Sequence, residues 1–121
     1  MRQKSSLCAF GLIALLAACP AQASELFAAI AFSPSSGKVG SAWNFDTAVL
    51  AETEAFLQCG LNDCYAAVIF HQCGAIAVGE GYGMGYGLDQ SLAKATELAL
   101  GSCAEFTTNC QITEAFCNAG F

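Results

Sequence analysis

Ile69-Phe-His-Gln-Cys-Gly-Ala-Ile-Ala-Val78 is the stretch from which the fold is read. One structural copy ends in it, at Cys73, and a second begins, at Gly74. From Ala28 the chain runs Ala-Ala-Ile-Ala-Phe, a Gly/Ser-rich turn, Trp43, an Ala-rich segment to Cys59, then Cys64 and Cys73. From Gly74 it runs Gly-Ala-Ile-Ala-Val, a Gly-rich turn, Tyr86, an Ala-rich segment to Cys103, then Cys110 and Cys117. Corresponding cysteines stand 44, 46 and 44 residues apart. That regularity defines an internal repeat, residues 28–73 and 74–117.

Each copy reads strand, strand, helix, strand. Phe27 to Phe32 is short, apolar and bounded by Ser33-Pro34-Ser35-Ser36-Gly37, a strand followed by a turn. Val39 to Phe45 returns, and Asp46 or Thr47 can cap the helix that follows. Ala51, Ala55 and Cys59 share one helical face, and residues that small predict close packing on a sheet. Gly60 suits the stop, because glycine accepts the left-handed conformation. Cys64 to Phe70 is apolar on both faces, which predicts a central strand. In the second copy Asp89 or Ser91 caps a helix with Ala95, Ala99 and Cys103 on one face, and Cys110 to Cys117 is the last strand. One copy cannot bury its sheet face alone. The expected fold is therefore α+β: two pseudo-symmetric repeats forming one mainly antiparallel sheet with two helices, stapled by disulfides.

Outside the repeats, Met1 to Ala23 reads as a secretory signal peptide. Arg2 and Lys4 make its positive end, Leu7 to Ala18 its apolar run, and Ala21-Gln22-Ala23 an A-x-A cleavage site before Ser24. The run is too short to be a permanent span. Leu16-Ala17-Ala18-Cys19 also matches a lipoprotein signal, but Pro20 after the cysteine fits it poorly. The expected product is one exported domain, residues 24–121, periplasmic or secreted.

That domain keeps ten acidic residues against Lys38 and Lys94 alone, with no arginine. Such a charge excludes nucleic acid and anionic membrane surfaces as natural partners, and points to a basic protein. Its six cysteines, an even number in a small exported chain, read as three disulfides. Fifteen pairings are possible. Symmetry between copies removes about half, and Cys64–Cys73 falls as well, since about 3.3 Å per residue puts them roughly 30 Å apart on one strand. Of the pairings left, Cys59–Cys64 and Cys103–Cys110 close helix-to-strand loops, and Cys73–Cys117 joins equivalent strand ends across the axis.

The pattern Ala-Ile-Ala-Phe-Ser-Pro-Ser-Ser-Gly, then Ala-x3-Ala-x3-Cys, then Asp63-Cys64 before an apolar strand, resembles the bacterial secreted family called domain of unknown function 4189. Cys73-Gly74-Ala75-Ile76-Ala77-Val78-Gly79 is its most specific piece, and the resemblance covers Ala28 to Cys117. It implies export, a disulfide-bonded α+β domain and no established activity. The family pattern often has Trp where this chain has Tyr86.

No catalytic, metal or cofactor constellation emerges from the residues. The cysteine spacings do not suit zinc and lack partner histidines. His71 lies beside Cys73, but a bridged cysteine is no nucleophile, so His71 reads as a polar residue in a strand-end bulge. Gly79 to Gly87, alternating Gly with Tyr82 and Tyr86, lacks the lysine of a phosphate loop. It reads instead as a strand whose rings cover one face. With Trp43 these rings make the candidate partner-binding surface. The functional expectation is a non-enzymatic binding module, of inhibitor or immunity type. A carboxylate-dependent hydrolase and a lipid-anchored envelope component are the alternatives.

Overall fold

The computed structural model describes residues 25–121. In it the chain forms β1 (Phe27–Phe32), β2 (Val39–Phe45), α1 (Ala48–Cys59), β3 (Tyr65–Phe70), β4 (Cys73–Val78), a short 3-10 turn (Glu80–Tyr82), β5 (Met84–Asp89), α2 (Leu92–Ala104) and β6 (Gln111–Cys117). Met1 to Ala23, with Cys19 and the cleavage site before Ser24, lies outside the described residues.

β1 and β4 sort their side chains by size. Ala29 and Ala31 turn toward Ala51, Ala55 and Cys59 of α1, while Ala28, Ile30 and Phe32 turn the other way. Cys73, Ala75 and Ala77 likewise meet α2, and Ile76 joins Ile30 in a core between sheets. Methyl groups let a helix lie close; branched and aromatic chains fill the gap of about 10 Å between stacked sheets. The expected single sheet is therefore two three-stranded antiparallel sheets, ordered β2-β1-β3 and β5-β4-β6, with one helix on each outer face. The central strands are β1 and β4. β3, expected to be central, is an edge whose Tyr65 and Ile69 reach solvent.

Glycine sets how near the helices come. A Cβ on Gly40 of β2 would stand 2.1 Å from the Ala55 carbonyl oxygen, and one on Gly85 of β5 would stand 2.2 Å from the Cys103 nitrogen. The two sites correspond in the repeats, so each helix rests its backbone directly on a strand. Thr47 and Ser91 cap the helices, their hydroxyls accepting from the N–H groups of Leu50 and Lys94 at 3.1 and 3.2 Å. Gly60, at φ 75°, ends α1.

The ladders reveal how the repeats correspond. β1 pairs Ala28 with Phe70 and Ile30 with Val68; β4 pairs Gly74 with Phe116 and Ile76 with Glu114. Both ladders break at the same step, after Ile30 and after Ile76. The first and third strands of the repeats thus correspond at an offset of 46 residues, the second strands at 45 and the helices at 44. Phe70 and Phe116 are counterparts, and their rings meet at 5.5 Å.

The structure joins Cys59 to Cys64, Cys103 to Cys110 and Cys73 to Cys117. The third bridge does not cross the axis. Cys73 opens β4 and Cys117 ends β6, directly opposite each other in one ladder, with Cα atoms 3.9 Å apart. The second repeat therefore begins at Cys73, and Cys64 and Cys73 never share a strand. At an offset of 46 the counterparts of Cys73 and Cys117 are Phe27 and His71. Those rings meet in the first repeat, centroids 4.4 Å apart and tilted by 54°. An aromatic contact occupies the place of a disulfide.

Candidate functional site

Three sets of polar contacts fix the margins of the sandwich. At one hairpin tip the Ser33 hydroxyl donates to Asp63 Oδ1 at 2.7 Å and the Ser35 N–H to Oδ2 at 2.9 Å. These donors, Ser33 first, hold the Asp63 carboxyl below its ordinary range. At the other tip the polarity is reversed. Glu80 on the turn accepts from Thr108 Oγ1 at 3.0 Å and from the Asn109 amide on the helix-to-strand loop. Buried Asn118 makes the third set. Its amide donates to the His71 carbonyl at 2.8 Å, its Oδ1 accepts from the Asn44 N–H at 2.8 Å, and Asn44 Oδ1 accepts from the Ala119 N–H at 2.7 Å. Asp63 stands out in the sequence only as part of the Asp63-Cys64 pair, and nothing there shows the partners of Asp63, Glu80 or Asn118, because each acts through a long-range loop contact.

His71 lies in the link between β3 and β4. Its Nδ1 stands 3.1 Å from the Leu26 carbonyl oxygen, and its ring covers Phe27. Both contacts are structural, and Cys73 beside it is bridged. Among the described residues no group of three or more His, Cys, Asp or Glu side chains is gathered where a metal could sit.

The three aromatic candidates do not form one surface. Trp43, on β2, leans on Phe116 with ring centroids 5.0 Å apart, and Phe116 continues to Phe70. Half of Trp43 closes the inter-sheet core; its outer part lines a cavity of about 340 Å³ with Ser41, Phe45, Glu54 and Gln58. Tyr82 and Tyr86 are elsewhere. They line a groove of about 680 Å³ with Phe32, Tyr65, Met84 and Phe106, at the open margin between β3 and β5. Nor is Trp43 the counterpart of Tyr86. The ladders set Ser41 opposite Ile30 and Tyr86 opposite Ile76, so Tyr86 corresponds to Ser41 and Trp43 to Leu88.

The groove is built from the hairpin tips and the end of a helix. Tyr82, at φ 64°, lays its ring on Gly37 of the other tip, where a Cβ would stand 2.6 Å from Cδ1. Gly85 and Gly87 lie under α2, which leaves Tyr86 on the opposite face at the sheet margin. Phe32 meets Tyr65 edge-on at 6.3 Å. Phe106, just past α2, is 71% exposed, and Tyr65, Tyr82 and Tyr86 are all more than 40% exposed. Tyr86 and Ser102 are shared with a second groove of about 710 Å³ that includes Glu97 and Glu105. An aromatic floor thus runs into an acidic flank, tempered by Lys94, whose ammonium stands 3.6 Å from Glu97. Phe106 and Tyr65 escaped the sequence reading, since a loop phenylalanine and a strand-start tyrosine carry no periodic signal.

A family model described as domain of unknown function (DUF4189) matches residues 27–117. The NMR structure of Rv1813c from Mycobacterium tuberculosis is similar, with a TM-score of 0.61 and 28% sequence identity over 86% of this chain and 84% of that one. No curated protein matches.

Proposed function

The chain belongs to the DUF4189 family, and from that premise we propose that it works as an exported, disulfide-bonded binding module that recognises another protein. Three disulfides suit an oxidising compartment. Among the described residues no helix is long and apolar enough to cross a membrane. One observation carries the reading: Tyr65, Tyr82, Tyr86 and Phe106 expose their rings around a single groove whose flank is acidic. Exposed aromatics clustered in a concavity are what protein interfaces use as anchors. Ten carboxylates against four basic residues in the whole chain favour a basic partner. An inhibitor or immunity-type role fits a rigid domain of this kind, and we read the protein as having no catalytic function of its own.

The test is capture from envelope and secreted fractions by the oxidised protein and its variants. Tyr86→Ala and Phe106→Ala are expected to weaken capture of a basic protein by at least about tenfold, roughly 1.4 kcal/mol. Trp43→Ala is expected to retain it, and near-ultraviolet circular dichroism monitors the fold. Equal capture by all three variants would overturn the assignment of the groove.

A further inference from the structure

Among the described residues four strands stand at sheet edges, and three of them are interrupted. β2 carries two residues, Trp43 and Asn44, against Ala28 alone, and Asn118 occupies the Asn44 N–H. β3 and β6 each break register at one step. β5 is different. Its pairing with β4 runs unbroken through six residue pairs, from Cys73 with Asp89 to Val78 with Met84, and among the described residues no further strand lies beyond it. Natural edges are blunted by bulges, lysines or prolines. Met84-Gly-Tyr-Gly-Leu-Asp89 has none of these.

The geometry points to an extended segment bearing lysine or arginine residues, supplied by a basic partner, that adds to sheet β5-β4-β6 as a fourth strand along β5. This rests on the groove reading above and specifies how the groove is filled. In an antiparallel ladder alternate residues bond to the inner neighbour, so the remaining N–H and C=O groups of β5 point outward. Strand addition uses such groups for affinity and flanking pockets for selection. Here Tyr82 and Tyr86 offer ring faces to a cationic side chain, and Glu105 and Asp89 supply opposite charge. A second copy of this chain is disfavoured as occupant, because pairing β5 with β5 would bring two sets of those carboxylates together.

The probe is a blocked peptide of about eight residues alternating lysine and valine, titrated into the ¹⁵N-labelled, oxidised protein. It should slow amide exchange at alternate β5 residues by at least about tenfold. Two N-methylated versions, blocked at odd or at even positions, separate the strand from mere groove occupancy. One should lose about tenfold or more in affinity, and the other should keep it. A glutamate–valine peptide should not bind. If both N-methylated peptides bind like the parent, and Tyr86→Ala still abolishes binding, the groove stands and strand addition falls. Binding unaffected by Tyr86→Ala, or no binding of the lysine peptide, overturns both. Protection of β5 that grows with protein concentration and no peptide would make a second copy the occupant and overturn the proposal.

Discussion

Single residues settle the margins of this fold, and Asp63 is the clearest case. It accepts the Ser33 hydroxyl and the Ser35 N–H, joining the loop after α1 to the tip between β1 and β2. A carboxylate stabilised this way titrates lower in the folded chain than in the unfolded one. Its contribution to stability is therefore full above the unfolded value of about 3.9 and disappears as pH falls through the lower folded value. Asp63→Asn should melt below the parent at neutral pH, and the gap should close in acid, beginning near pH 4. A gap in Tm that persists unchanged to low pH would show that the amide fails for reasons of shape and not charge. Glu80 holds the opposite tip through Thr108 and Asn109 with donor and acceptor exchanged. The two repeats have thus reached one solution from different residues.

At the scale of elements, much was legible in the chain and some was not. Alanine stripes at Ala51, Ala55, Ala95 and Ala99 and the stop at Gly60 follow from local chemistry and appear in the structure, which also chooses Thr47 over Asp46 and Ser91 over Asp89 as the caps. Strand partnership does not follow from periodicity, since an apolar run such as Ala66 to Phe70 suits an edge on a sandwich as well as a centre. Trp43 and Tyr86 both follow a turn and so read as equivalent positions, but register, which sets Ser41 beside Ile30, is a property of the ladder. The spacing of Cys73 and Cys117 deceived in the same way. Forty-four residues is the helix offset and also the length of the loop that their bridge closes. Three variants test these assignments. Gly40→Ala and Gly85→Ala should each cost about 1–3 kcal/mol or more, read from denaturant midpoints at constant slope, because the added carbon meets helix backbone. Phe27→Cys with His71→Cys places a cystine where the rings now meet. Oxidised, the double variant should gain about 2–4 kcal/mol. Two free thiols at those positions would show that the repeats do not correspond at that offset.

For the whole molecule, the corrected boundary changes what the disulfides do. With β4 beginning at Cys73, every bridge among the described residues lies inside one repeat: Cys59–Cys64 in the first, Cys73–Cys117 and Cys103–Cys110 in the second. Among the described residues no sulfur joins the two sheets. They are held by the core of Ala28, Ile30, Phe32, Phe70 and Ile76, by the Asn118 contacts, and by the backbone at His71-Gln72. Truncating the centre of that core, as in Ile76→Ala, should cost about 2–5 kcal/mol. A protease site placed after His71 tests the division directly. Cut in native buffer, the halves should stay associated, because separation would expose the faces carrying Ile30 and Ile76 to water. In denaturant without reductant they should part into two fragments, each retaining its own bridges by mass. A cut protein that stays covalently linked under those conditions would reveal a bridge between repeats. Halves that drift apart in native buffer would mean that the inter-sheet core is not what unites them.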